Sequence, residues 1–424
     1  MISNIVISLV FLYYIWPFQL KILGDAGFII MYDIIPLLYI FLNHHYLYKL
    51  LRDKNSINVI LRICFIFMLL FIYSVLNIEI NNGENSYILE LLRVVQRIIV
   101  YVFLMIVTIK RSINNSEDYL MSFMKMYVIS CCLYIISTIV FLAYPDFRNI
   151  WMDVIYQSDA AFDMSQEIRR QTRFGLKGFT NFGEVTVCSF AVIMSNYIIH
   201  STNKIYSRWT AALYLLLLGC AFYGRSGLIL AVIMTCIYSL IFISKVEVKR
   251  LFVHTLVIVL VVMGLIYIAE FDERFAYLLM WIADPIVSFV DSAKYGQFSI
   301  GSSGNILVEN MWFVPQIETI FLGDGRYMNP DGSYYMYTDA GFLRHILFGG
   351  IPALVIGYFL IILLYWKSLK RKRGVLNYNV AITMIVISIF VQELKGVVYF
   401  FHIGLLFVLY SLGYLWDTRK RIYE

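Results

Sequence analysis

The sequence predicts an all-α polytopic membrane protein with about 12 transmembrane helices, two long extracytoplasmic loops and both termini in the cytoplasm. Three observations lead there. Of the 424 residues, 61% are hydrophobic and 15% charged, and the mean hydropathy is +0.75, far from a domain dissolved in water. The apolar residues come in long runs, such as Leu251 to Ala269, rather than in the narrow stripe of a surface helix. The basic residues gather in alternate short connections, so topology accounts for the net charge of +6 better than nucleic acid does.

Windows of about 20 residues give spans near 4–20, 27–44, 58–78, 88–109, 119–143, 182–200, 209–224, 227–244, 251–270, 341–366, 379–393 and 400–416. The first has neither a basic n-region nor a small-residue cleavage site and reads as a span, not a removed signal. Lys49, Arg52 and Lys54 share one side with Lys110, Arg111, Lys204, Arg208, Lys245, Lys249, Arg250, the run Lys367 to Arg373 and Arg419 to Arg421. The other side holds little beyond Lys21, Arg225 and Lys395 in its short connections, which makes it extracytoplasmic. All six cysteines fall in apolar runs, implying neither a disulfide framework nor a metal cluster.

Residues 1–424 thus read as a single integral membrane domain whose outer face carries two long loops, 145–183 and 271–341. Both exceed the usual connection length, and loops of that kind carry function. In the larger, an apolar stretch from Phe275 to Asp291 is expected along the interface, then a Gly/Ser hinge at Gly301 to Gly304. A helix from Ile306 to Phe321 and turns at Gly323-Asp324-Gly325 and Pro330-Asp331-Gly332 complete it.

A charge at mid-bilayer costs on the order of 3 kcal/mol, so ionisable residues inside spans are functional candidates. Asp33, Arg93, Arg97, Glu184, Arg225 and Glu393 fall in the outer halves of their spans, whereas Arg62 and Lys125 sit at inner ends where the stem can snorkel. Arg93 and Arg97 share a helix face and together ask for an anion; neutralisation by Glu90, Asp33 or Glu393 is the structural alternative. Arg225 lies in Gly224-Arg225-Ser226-Gly227, between two spans with almost no loop, where an interfacial anchor is the competing role. Arg169, Arg170, Arg173 and Lys177 precede Asn181 and Glu184 at the mouth of another span, against the positive-inside tendency, although a solvated basic loop has the same composition.

Outward arginines beside lipid suit a lipid-linked phosphate or pyrophosphate, because the guanidinium fork matches phosphate oxygens and stays charged. A sugar leaving such a carrier loads negative charge on the pyrophosphate, which fixed arginines stabilise. The acceptor hydroxyl needs a base. Asp339, closing the larger loop, is the candidate, with His345 as the fallback; the alternatives are a helix N-cap for Asp339 and a hydrogen-bonded core histidine for His345. Arg326, Tyr337 and the neighbouring Tyr327, Tyr334 and Tyr335 crowd the same segment; tyrosine faces suit sugar rings but also form interfacial belts.

In these residues the chain resembles the Wzy-type O-antigen and capsular polysaccharide polymerases of the O-antigen ligase superfamily. The likeness is architectural over most of the chain. It is local at Arg173 through Glu184, at Gly224-Arg225-Ser226-Gly227-Leu228, and from Gly323-Asp324-Gly325 through Asp339-Ala340-Gly341-Phe342 to Gly349-Gly350-Ile351. The resemblance implies a metal-independent glycosyltransferase without a cofactor, in the bacterial inner membrane with its active site facing the periplasm. It would move a growing chain from undecaprenyl diphosphate onto the terminal sugar of the next lipid-linked unit, with inversion. Arg173 and Arg225 would then bind the donor pyrophosphate, and Asp339 would take the general-base region. The implied partners are the lipid-linked oligosaccharide donor and acceptor, membrane lipids and a chain-length regulator, with no nucleic acid. The related ligases carry a histidine in the last outer segment, and none stands between Phe271 and Gly341, which favours polymerase. The alternatives are a lipid-linked oligosaccharide flippase or other transporter, an O-antigen ligase, and, third, a polyprenyl-monophosphate-sugar transferase.

Overall fold

The computed structural model describes residues 2–24, 26–45, 48, 54–98, 100, 103–112, 119–157, 159–179, 182–202, 208–242, 256, 259–260, 263–295, 311–371, 376–399, 403–410 and 412. Helix dominates. Five helices are long and apolar enough to cross a bilayer: Cys64–Asn81, Tyr119–Ala143, Gly183–Thr202, Gly341–Lys370 and Leu376–Glu393. Shorter apolar helices occupy Ile30–Leu42, Arg208–Tyr223 and Arg225–Ile241. The chain is an α-helical membrane protein. The expected spans at 251–270 and 400–416 fall partly outside the described residues, and the hinge at Gly301 to Gly304 wholly so.

The chain forms two compact units. The first comprises Met1–Ile35, Ser112–Asp284 and Leu376–Ser388. At its centre lies the helix Phe182–Thr202, whose Cys188, Phe190, Ala191, Val192, Ile193, Met194 and Ile198 are fully buried. Glycines bring its neighbours close. A Cβ on Gly227 would stand 1.9 Å from Val185 Cγ1, and one on Gly219 would stand 2.3 Å from Ile135 Cδ1; small residues at such contacts let membrane helices pack backbone to backbone. Hydrogen bonds add to this packing: Thr138 and Tyr223 share their hydroxyls at 2.7 Å, and Asn196 donates to Thr235 at 3.1 Å.

The first of the two long connections folds onto this unit. It contains the helices Pro145–Val154 and Asp159–Gln166 and a 3-10 segment, Ile168–Arg173. A two-residue antiparallel hairpin follows, with Phe174 opposite Phe179 and Gly175 opposite Gly178, a β element absent from the all-α expectation. Two residues per strand leave no hydrophobic alternation for a sequence to display. The hairpin is anchored by Phe174, buried among Phe141, Met152 and Ile155, and by Trp151 Nε1, which donates to the Leu176 carbonyl at 2.9 Å.

The second unit comprises Pro36–Arg111, Pro285–Val375 and Ile389–Glu424. The helices Lys54–Asn81 and Ser86–Arg97 follow one another, joined by a short turn. The helix Gly341–Arg371 is broken at Gly349 and Gly350, the latter at φ +62, just before Pro352. Carbonyls freed by a break inside a membrane protein must find donors. Here the Asp324 N–H bonds the Leu347 carbonyl at 2.7 Å and the Gly325 N–H bonds that of Phe348 at 2.9 Å, while the Tyr73 hydroxyl donates to Gly349 at 2.7 Å.

This explains the glycine turn seen in the sequence. A Cβ on Gly323 would meet the Phe348 carbonyl oxygen at 2.3 Å, and one on Gly350 would meet the Phe321 carbonyl at 2.5 Å. Turn and break need each other's glycines. The helix expected over 306–321 is confined, among the described residues, to Ile317–Leu322. Pro315 is the cause: its ring lacks an N–H and pushes the residue before it out of helical conformation.

Candidate functional site

Each unit gathers cationic and aromatic side chains around one arginine. In the first unit, Arg225 opens the helix Arg225–Ile241 and is 6% exposed. Its Nη1 donates to the Trp281 carbonyl at 2.9 Å and to the Asp284 carboxylate at 2.6 Å. Its guanidinium carbon lies 4.9 Å from the Trp281 ring centroid. Arg173, the last residue of the 3-10 segment, brings its own guanidinium carbon to 4.6 Å from the same ring. Two arginines distant in sequence therefore meet on one indole, a cation–π arrangement favoured for Arg over Trp. Lys177 in the hairpin turn pairs with buried Glu184, which makes Glu184 the neutralising partner of a loop cation.

Nearby elements of this unit hold two more arginines. Arg274 forks onto Asp272 at 2.9 and 2.5 Å and donates to the Leu142 carbonyl, and that pairing holds the Asp272 carboxyl below its ordinary range. Arg148 is buried, and its Nε and Nη1 find no hydrogen-bond acceptor among the described residues; burial and the charge of Arg274 lower its pKa.

In the second unit, Asp339 is partly buried, and its carboxylate makes no hydrogen bond among the described residues. Burial raises its pKa, while the Arg344 and Lys395 charges pull it back. The N-cap alternative fails. The helix starts at Gly341, and it is the Thr338 hydroxyl that accepts the Ala340 N–H at 3.2 Å while donating to the Met311 carbonyl at 2.6 Å. His345 is buried with Nδ1 3.1 Å from the Tyr87 hydroxyl, and Tyr87, Tyr358 and Tyr399 meet its ring edge to face; this is a packed core histidine. Glu393, fully buried, accepts the N–H groups of Val398 at 2.7 Å and of Tyr399, and so holds the turn after its helix.

Arg344 is the residue that sequence reasoning missed. It is 3% exposed, and its guanidinium carbon lies 3.8 Å from the Tyr327 ring centroid and 3.5 Å from that of Tyr334. The signal was available, since Arg344 is a charge one turn into a predicted span, the very criterion that singled out Arg225. Trp281 was missed as well, because one tryptophan in an apolar stretch looks like packing.

The remaining candidates are dispersed. Arg93 pairs with Glu90 at 2.6 Å and is 55% exposed, Arg326 is exposed, and Tyr337 is exposed with φ +55. The side chains of Arg97, Arg169 and Arg170, and all of Asn181, lie outside the described residues. Among the described residues no three His, Cys, Asp or Glu side chains gather as a metal-ligand set. Comparison with protein-family models and with curated proteins returns no match.

Proposed function

We propose that this chain is a surface-polysaccharide polymerase of about twelve spans, acting on polyprenyl-diphosphate-linked oligosaccharides at the outer face of a bacterial inner membrane. The observation that carries the reading is the meeting of Arg173 and Arg225 on Trp281. Two guanidiniums held on one indole, at the ends of a loop segment and of an apolar helix, suit a diphosphate at headgroup depth better than a solvated basic loop does.

The reaction is an inverting displacement. The acceptor hydroxyl oxygen attacks the anomeric carbon of the growing chain, the bond from that carbon to the diphosphate oxygen breaks, and the diphosphate leaves with the electron pair. A carboxylate takes the hydroxyl proton. Arg173 and Arg225 would stabilise the charge that builds on the leaving diphosphate, a contribution typically worth roughly a hundredfold or more in rate per donor. Asp339 is the base in this reading: burial raises its pKa, which makes its carboxylate a stronger base than that of an ordinary aspartate. The transporter alternative is weakened by the broken helix in the second unit, whose freed carbonyls bond Asp324, Gly325 and Tyr73 instead of being left for an ion.

The test is complementation of a polymerase-deficient strain, with surface polysaccharide read as a ladder. Wild type should restore long chains. Arg173→Lys and Arg225→Lys, which keep the charge but lose the fork, should insert normally and shorten or abolish the ladder. Rescue of a flippase-deficient strain in place of the polymerase-deficient one would sink the proposal.

A further inference from the structure

We propose that Arg344, clasped by Tyr327 and Tyr334, is a second oxyanion site, taking the diphosphate of a polyprenyl lipid whose chain lies in the apolar groove between the helices Lys54–Asn81 and Ser86–Arg97. The inference rests on the reading above, which requires a lipid-linked acceptor as well as a lipid-linked donor, and it supplies a binding site for one of the two.

Burying an arginine is expensive, and proteins ordinarily offset it with a carboxylate. For Arg344 no carboxylate lies within ion-pair distance among the described residues. Its Nε has no acceptor, and its Nη2 reaches only the Tyr327 carbonyl at 3.5 Å and the Met328 sulfur at 3.9 Å. Asp339 and Glu393 are within electrostatic reach but not at ion-pair distance; one Glu393 oxygen accepts two backbone N–H groups, and the other is buried without a hydrogen-bond partner among the described residues. Glu84 is occupied by the N–H groups of Tyr327 and Met328, at 2.6 and 2.9 Å. What holds Arg344 is a pair of rings. Stacking fixes the plane of the guanidinium without using its N–H edges, the state in which a planar fork meets two phosphate oxygens with little further ordering.

The groove points to a lipid rather than a free anion. Tyr87 packs against Tyr327, with ring centroids 5.2 Å apart, and stands at the start of the helix Ser86–Arg97. Further along the same helix and just past its end, Leu91, Leu92, Val95 and Ile98 line a cavity of about 290 Å³ with Phe67 and Phe71. At 1.5 Å per residue the cavity begins roughly 6 Å below Tyr87. Leu92 is 49% exposed, so the groove is open where the surrounding membrane meets it. A polar clasp at one end of a helix and an apolar furrow along its side match a molecule with a diphosphate head and an isoprenoid tail.

The protein purified into nanodiscs would be titrated with farnesyl diphosphate, inorganic pyrophosphate and farnesol. Farnesyl diphosphate should bind at two sites, and Arg344→Gln should remove one of them or weaken it at least tenfold. Leu92→Trp, which fills the groove from a half-exposed position without touching the clasp, should weaken farnesyl diphosphate and leave pyrophosphate unchanged. Tyr334→Leu should weaken both, without the risk to folding that a buried substitution carries. Unchanged two-site binding in Arg344→Gln and Leu92→Trp, with one site lost in Arg225→Lys, would overturn this inference and leave the polymerase reading standing. Loss of binding in Arg344→Gln with no effect of Arg225→Lys on binding or chain extension would do the reverse. Equal competition by phosphatidylglycerol in the discs would also overturn it, since the clasp would then hold any anionic headgroup.

Discussion

Arg225 and Arg344 are both buried arginines in the first turn of an apolar helix, and the two units accommodate them by opposite means. Arg225 is neutralised by Asp284 and shares an indole with Arg173, whereas Arg344 is held by two tyrosine rings with no carboxylate at ion-pair distance among the described residues. A cation balanced by an acid adds to the fold and must be partly released before it grips a ligand. One balanced by rings is ready to bind, at a cost to the unliganded fold.

That contrast makes its sharpest prediction in stability. Arg225→Gln strands Asp284, about a third exposed, and should destabilise the protein by roughly 1–3 kcal/mol, below the cost of breaking a fully buried pair. Asp284→Asn in the same chain should restore most of that loss, whereas Arg344→Gln, which breaks no contact ion pair and removes only the longer-range support of Asp339 and Glu393, should cost less than Arg225→Gln. Thermal unfolding in detergent reads all three. A larger loss for Arg344→Gln than for Arg225→Gln would show that Arg344 has a structural acid partner, and the contrast would collapse.

The next effect concerns the glycines of the second unit. Gly350 has φ +62, and an added Cβ would meet the Phe321 carbonyl, so Gly350→Ala should cost roughly 1–3 kcal/mol. Gly332, with positive φ but open space around it, should cost less on the same substitution, about 1 kcal/mol. Equal losses would mean that strain at φ, and not the contact between turn and helix break, is what the motif protects.

How much of this was legible follows from which interactions leave a periodic or compositional trace. The helices Tyr119–Ala143, Phe182–Thr202 and Leu376–Glu393 match their expected spans to within a few residues because lipid exposure demands long apolar runs. The loop-closing turns at Gly323 and Gly332 were readable from their glycines. The helix break at Gly349-Gly350 was seen only as a motif, because what Gly350 accommodates is the Phe321 carbonyl, far upstream in the sequence, whose proximity no local pattern encodes. Among the candidate site residues, Arg173 and Arg225 stand out in the sequence because cations beside apolar runs are conspicuous. Trp281 and the Tyr327–Arg344–Tyr334 stack depend on side chains brought together by the fold, and aromatic residues are common enough at interfaces that their role stays hidden in composition.

The pH dependence sharpens the contrast further, through Asp339. Burial raises its pKa, and the charge of Arg344 opposes that rise. A base must be deprotonated, so chain extension should fall as pH drops through a value above the usual aspartate range of about 4. Arg344→Gln removes a cation that favours the carboxylate, and the acid limb should move to still higher pH; Asp339→Asn should abolish extension. An acid limb unmoved by Arg344→Gln would show that the two groups do not sense each other, and full extension by Asp339→Asn would remove Asp339 from the reaction.

The smallest expected effect completes the series. Arg93 was chosen from sequence on the same grounds as Arg225, yet its 2.6 Å pair with Glu90 is one helical turn away and the side chain is 55% exposed. Exposed pairs at that spacing contribute about 0.3–0.5 kcal/mol, so Arg93→Ala should change unfolding by less than the difference between Gly332→Ala and wild type and leave chain extension intact. What separates Arg93 from Arg225 and Arg344 is burial: a cation withdrawn from solvent attracts an anion with less screening and carries a desolvation cost that a bound anion would offset. A large loss of extension in Arg93→Ala would mean that an exposed, locally paired arginine reaches the substrate, and burial would no longer distinguish binding arginines in this chain.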